Sequence, residues 1–102
     1  MLAYHVTQDA KRDILEIRRY TTEQWGKSQS QKYLSELRQT IRLLAENPNL
    51  GKQRSDVGSG VSSFPHASHV IYYIVQGEQL VVFGVLHKRM VPDLHLPDRP
   101  II

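Results

Sequence analysis

The most constraining feature of this chain is a change of hydrophobic period near its middle. Up to Glu46 the apolar residues recur at helical spacing. After a stretch rich in Gly, Asn and Ser at 47–60 they come as β-branched and aromatic runs. At 102 residues the chain has room for one domain. That domain must lay amphipathic helices on a sheet, the two-layer α+β solution.

The helical half divides at Gly26. Thr7 offers an N-cap hydroxyl, and Asp9 places negative charge in the first turn. Ala10, Ile14, Ile17 and Thr21 follow on one face. Gly26 supplies the left-handed residue that ends a first helix near Trp25. Ser28-Gln29-Ser30-Gln31 has the form of a capping box for a second helix. Leu34, Leu37, Ile41 and Leu44 form its stripe. Asn47-Pro48 stops it, because the residue before proline is pushed out of the α region. So short a connection predicts an antiparallel helical hairpin.

The strand-like segments are 2–6, 61–64 (closed by Pro65), 69–75 and 80–87, with Gln76-Gly77-Glu78 as the turn between the last two. The predicted order is β-α-α-β-β-β. An N-terminal strand and a helical hairpin pack on a small antiparallel sheet. Residues 1–90 form the domain. Residues 91–102, with Pro92, Pro97 and Pro100, read as an extended, loosely ordered tail.

Composition removes rival classes. No cysteine is present, which excludes disulfides, thiolate metal sites and thiol catalysis. No apolar run approaches the roughly 18–20 residues of a membrane span. The N-terminus lacks the pattern of a signal peptide, so the expected compartment is the cytoplasm, with no membrane partner. The formal net charge is +3, and its distribution is uneven. Residues 11–54 hold ten Lys/Arg against five acids, whereas residues 61–102 hold three of each. The helical half is therefore the basic one, which suits an acidic partner.

His66, His69, His87 and His95 raise the question of a metal. Three apart in a strand, His66 and His69 point to opposite faces, and no acid lies near in sequence. The expectation is no metal and no cofactor. Gly-x-Gly-x-x-Gly, Walker and Gly-x-Ser-x-Gly motifs are absent. What remains is His87-Lys88-Arg89-Met90 at the end of the last strand, with Lys52 and Arg54 in the loop. His87 could act as general acid or base and the cations could stabilise a phosphoryl transition state. Tyr72 or Tyr73 could stack a base. Those parts would make a metal-free ribonuclease. Residue types alone favour the plainer reading, a strand end whose charges stay in water.

Several segments, in this order, carry a resemblance. They are Ala10-Lys11-Arg12-Asp13-Ile14-Leu15-Glu16-Ile17, Trp25-Gly26, Leu43-Leu44-Ala45-Glu46-Asn47-Pro48 and Leu50-Gly51-Lys52. Ser63-Phe64-Pro65, Ser68-His69-Val70-Ile71-Tyr72-Tyr73 and Val85-Leu86-His87-Lys88-Arg89-Met90 follow. Together they resemble the RelE/ParE superfamily of type II toxins, and within it the ParE branch. The resemblance implies the same β-α-α-β-β-β fold. It implies either ribosome-dependent mRNA cleavage, as in RelE-like members, or inhibition of DNA gyrase, as in ParE-like members. Ser62 and Ile74 stand where many relatives carry arginine, so the sheet looks under-equipped for RNA cleavage.

The favoured expectation is therefore a gyrase inhibitor without chemistry of its own. Lys52, Arg54, His87, Lys88, Arg89 and Met90 would be target contacts; His87 and Arg89 become catalytic only under the ribonuclease reading. The implied partner is a small antitoxin whose acidic, flexible C-terminal segment folds on the toxin. Leu15, Arg18, Arg19, Trp25 and Arg38 are its candidate contacts. Operator DNA would be reached only through the antitoxin. A third possibility is an inactive toxin fold kept as an antitoxin-binding module.

Overall fold

The computed structural model describes residues 2–102. In chain order its elements are β1 (Ala3–Val6), α1 (Gln8–Trp25), α2 (Lys27–Glu46), a 3₁₀ turn (Pro48–Leu50), β2 (Lys52–Gln53), β3 (Ser62–His66), β4 (His69–Gln76), β5 (Gln79–His87) and α3 (Pro92–His95). The hairpin and the meander form where the two periods predict them. The Thr7 hydroxyl accepts from the Ala10 amide at 3.2 Å, the expected N-cap.

The junction between α1 and α2 is tighter than expected. Gly26 alone closes α1 and opens α2, with φ 89° and ψ 165°. This is not the left-handed helical conformation, but it is one that only glycine adopts freely. The second helix therefore starts at Lys27, without a side-chain cap, and the predicted Ser28–Gln31 box does not form. Ser30 is buried against α1 instead. Its hydroxyl lies 2.7 Å from that of Thr21, which itself donates to the Ile17 carbonyl. Two small polar residues thus let the helices meet closely with their hydrogen bonds met.

The sheet order is β1-β5-β4-β3-β2. It is mixed rather than antiparallel, since β1 runs parallel to β5, with Tyr4 beside Leu80. This follows from the helical hairpin, which returns the chain to the side from which it left. The stretch read as loop contributes β2, whose two exposed residues pair with Ser62 and Ser63. Strand β3 runs on through Pro65, which has no neighbour on the β2 side and so forfeits no ladder bond.

One sheet face carries Ile71, Tyr73, Leu80, Val82 and Val85 against Ala10, Ile17, Leu37, Ile41 and Leu44 of the hairpin. The other carries Tyr72, Phe83 and Leu86 against Val61 and Leu96. Phe83 is the extra residue of a bulge, since Gly84 stands opposite Tyr72 and Val82 opposite Tyr73. The tail accordingly is not loose. It forms α3, buries Leu96 on the second face, and pairs Arg99 with Asp13 of α1. Gly84 lies beneath this seat, where a Cβ would come within 2.6 Å of a Leu96 methyl and force it to shift.

Candidate functional site

Two grooves flank α1. The first, of about 450 Å³, lies between β1, α1 and α2. Its floor is apolar, from Tyr4, Val6, Ile14, Leu34, Leu37 and Ile41. Its rim carries Leu15, Lys11, Arg18 and Arg38. None of these three cations makes an ion pair among the described residues. The groove runs beside β1, the outer strand of the sheet, whose far side is open for another strand to pair.

Of the candidate antitoxin contacts, Leu15, Arg18 and Arg38 thus come together on one groove. Lys11 belongs with them and was passed over in the sequence, although it sits one helical turn before Leu15. Arg19 points elsewhere and is bonded to Glu16 at 2.7 Å. Trp25 lies at the far end of α1, edge-on to Tyr33 at 5.7 Å, over a shallow pocket lined by Gln29, Lys32 and Glu36.

The second groove, of about 460 Å³, lies between α1 and the end of β5. His87, Arg89 and Met90 line it with Ile17, Tyr20, His69 and His95. Lys88 is exposed in the adjoining turn, its amide bonded to the Ser68 carbonyl. The candidate target contacts do not form one cluster. Lys52 and Arg54 lie at the opposite edge of the sheet, beyond β3. Arg54 is held by both oxygens of Asp56 at 3.0 Å and lies over the Tyr72 ring. That pairing holds the Asp56 carboxyl below its usual range.

His66, His69 and His87 form a cross-strand row, which corrects the opposite-face reading. His66 pairs with His69 across the two-residue turn at Ala67-Ser68, and His69 pairs with His87. Residues directly opposite share a face. The His69 ring is 5.4 Å from that of His87, and its Nδ1 is 2.6 Å from the Tyr33 hydroxyl. That hydroxyl donates to the His66 carbonyl. A neutral His69 with its proton on Nδ1 satisfies both contacts. Burial, with the charges of His87 and His66 behind it, brings the His69 pKa down to about 4. Among the described residues no group of three His, Cys, Asp or Glu is placed to hold a metal ion.

One part of the ribonuclease constellation is not available. Tyr72 and Tyr73 are 3% and 1% exposed, so neither can stack a base. The Tyr73 hydroxyl donates to the Pro48 carbonyl and accepts from the Gly51 amide. At the strand end, His87 Nδ1 accepts from the Arg89 amide at 3.1 Å, which turns one ring nitrogen back onto the main chain. Among the described residues no helix is long and apolar enough to cross a membrane.

Comparison with known proteins bears on the same residues. The family model for the ParE toxin of the type II toxin–antitoxin system parDE matches residues 4–92. Toxin ParE1 of Caulobacter vibrioides is 33% identical over 96 residues, covering 94% of this chain and 99% of that protein. Toxin ParE1 of Mycobacterium tuberculosis is 34% identical over 94 residues, covering 91% and 96%. Toxin ParE of Escherichia coli is 32% identical over 100 residues, covering 97% of each. In fold the chain is similar to a solved structure described as the chromosomal ParDE TA system from P. aeruginosa. The TM-score is 0.75 at 17% identity, over 85% of this chain and 96% of the other. Taken with the β-α-α-β-β-β core, these matches show that the chain belongs to the ParE toxin family of type II toxin–antitoxin systems.

Proposed function

We propose that this toxin inhibits DNA gyrase by contact, without chemistry of its own, and that a cognate antitoxin silences it by occupying the first groove. The gyrase target follows from ParE family membership. The observation that favours contact over catalysis is the dispersal of the candidate catalytic parts. Lys52 and Arg54 lie across the sheet from His87, Arg54 is paired with Asp56, and both tyrosines are buried. Phosphoryl transfer needs several free donors aimed at one developing charge. The exposed side chains Lys88, Arg89 and Met90 are instead arranged as a contact surface beside the second groove.

The antitoxin reading rests on complementarity. An amphipathic acidic segment would place apolar anchors on Ile14, Leu15 and Leu34 and carboxylates against Lys11, Arg18 and Arg38. A following strand could pair with the open edge of β1. The test sets gyrase supercoiling and in vitro translation side by side with one preparation. Inhibited supercoiling with trapped DNA breaks and normal translation supports the proposal. Codon-dependent mRNA cleavage with normal gyrase rejects it.

A further inference from the structure

The tail joins the domain by a small and separable set of contacts. All of its main-chain hydrogen bonds among the described residues are internal: Leu94 to Val91, Leu96 to Pro92, and Arg99 to Leu96. None reaches the sheet. What fastens it is one side chain and two apolar seats. The Arg99 guanidinium meets both oxygens of Asp13, at 2.6 and 3.2 Å, and the Phe83 carbonyl at 3.1 Å. Leu96 and Ile101 rest on Tyr72, Phe83 and Leu86. Ahead of the anchors Leu94 is 76% exposed, and between them Pro97, Asp98 and Pro100 are exposed.

The fastening point is itself a strand edge. Beyond the end of β1, strand β5 has no strand on that side among the described residues, and its outward groups there are the Val85 N–H and the Phe83 C=O. Asp13 takes the first at 3.0 Å and Arg99 takes the second. If Arg99 leaves, Asp13 still holds the Val85 amide, and only one carbonyl passes to water. The domain therefore loses no ladder bond when the tail lifts. Three prolines narrow the freedom of the released tail, which keeps the entropy cost of closing low.

We propose that the C-terminal segment is a strap, latched by Arg99 on Asp13, that opens as a local event and uncovers the second face of the sheet. The uncovered surface is the Tyr72–Phe83–Leu86 patch, with Arg54 beside it. With the strap closed, those three side chains are 3–4% exposed. The strap thus governs whether this apolar face meets solvent.

The absence of native cysteine allows a direct test. Leu96→Cys places a single thiol on the buried side of the strap, and Val82→Cys places one in the centre of β5. Labelling is followed with a thiol reagent across low urea concentrations. A local opening makes the Leu96→Cys thiol react at least about tenfold faster than the Val82→Cys thiol, with little dependence on urea. Adding Arg99→Gln accelerates the first by at least about tenfold again and the second far less. Equal rates with equal urea dependence overturn the proposal, with or without Arg99→Gln. Where Leu96→Cys fails to fold, hydrogen exchange of the unmodified chain decides. Leu96 and Arg99 amides that exchange well ahead of the β5 amides support the strap, and exchange only with global unfolding refutes it.

Discussion

Replacing Tyr73 by phenylalanine removes one oxygen from the core and tests how the loop leading into β2 is held. The Tyr73 ring is 1% exposed among Leu37, Ile71 and Leu80, and phenylalanine keeps that packing. The hydroxyl reaches out of the core to the 3₁₀ turn. It donates to the Pro48 carbonyl at 2.7 Å and accepts from the Gly51 amide at 3.0 Å. Its loss leaves two main-chain groups without partners. Both residues are half-buried, so water reaches them in part. A fully buried orphan group costs about 1–3 kcal/mol, which puts the pair near 2 kcal/mol after partial rescue. At this size that is about 8–12 °C in Tm. Urea and thermal unfolding measure it, with Tyr20→Phe as the exposed control. The same variant should raise exchange of the Gly51 and Lys52 amides, since the turn positions β2. A loss below about 0.5 kcal/mol would refute the idea that this hydroxyl anchors the loop.

Four further outcomes are expected. Gly26→Ala meets no neighbour within 4 Å, yet its φ of 89° should cost about 1–2 kcal/mol in urea unfolding. A double-mutant cycle of Thr21→Val and Ser30→Ala should return a coupling of about 1 kcal/mol; zero coupling would mean the helices meet for other reasons. His69 titrates at about 4 when folded and near 6.5 when unfolded, so folding favours its neutral form. Its contribution is complete above pH 6.5 and is lost as pH falls towards 4, a slope that His69→Phe should flatten in pH-dependent unfolding. Arg18→Glu with Arg38→Glu should weaken antitoxin binding at least about tenfold at low salt by calorimetry, whereas Arg19→Glu should change it little.

The legible part of the fold is the part built on local pattern. Leu34, Leu37, Ile41 and Leu44 announce a helix face, and the 69–75 run announces a strand, because burial imposes those periods. The misread parts depend on distant partners. Lys52 and Gln53 are exposed and polar, and only the Ser62–Ser63 edge makes them a strand. The parallel pairing of β1 with β5 spans most of the chain. His66 and His69 share a face because a two-residue turn at Ala67, with φ 50°, falls between them. The Arg99–Asp13 bond joins residues 86 apart, so three prolines read as a loose tail. The site divides in the same way. The basic character of the helical half was visible as a count of charges. That Arg18 and Arg38 share a groove required the hairpin itself, whereas the Arg19–Glu16 pair is local to α1.

The most direct test of the central claim is a titration of this toxin into purified gyrase and supercoiled plasmid, scoring inhibited supercoiling and trapped DNA breaks. Inhibition that grows with the toxin-to-gyrase ratio, saturates, and is reversed by the antitoxin is the result expected of a contact inhibitor. Unchanged supercoiling at saturating toxin, from a preparation that cleaves ribosome-bound mRNA, would contradict it.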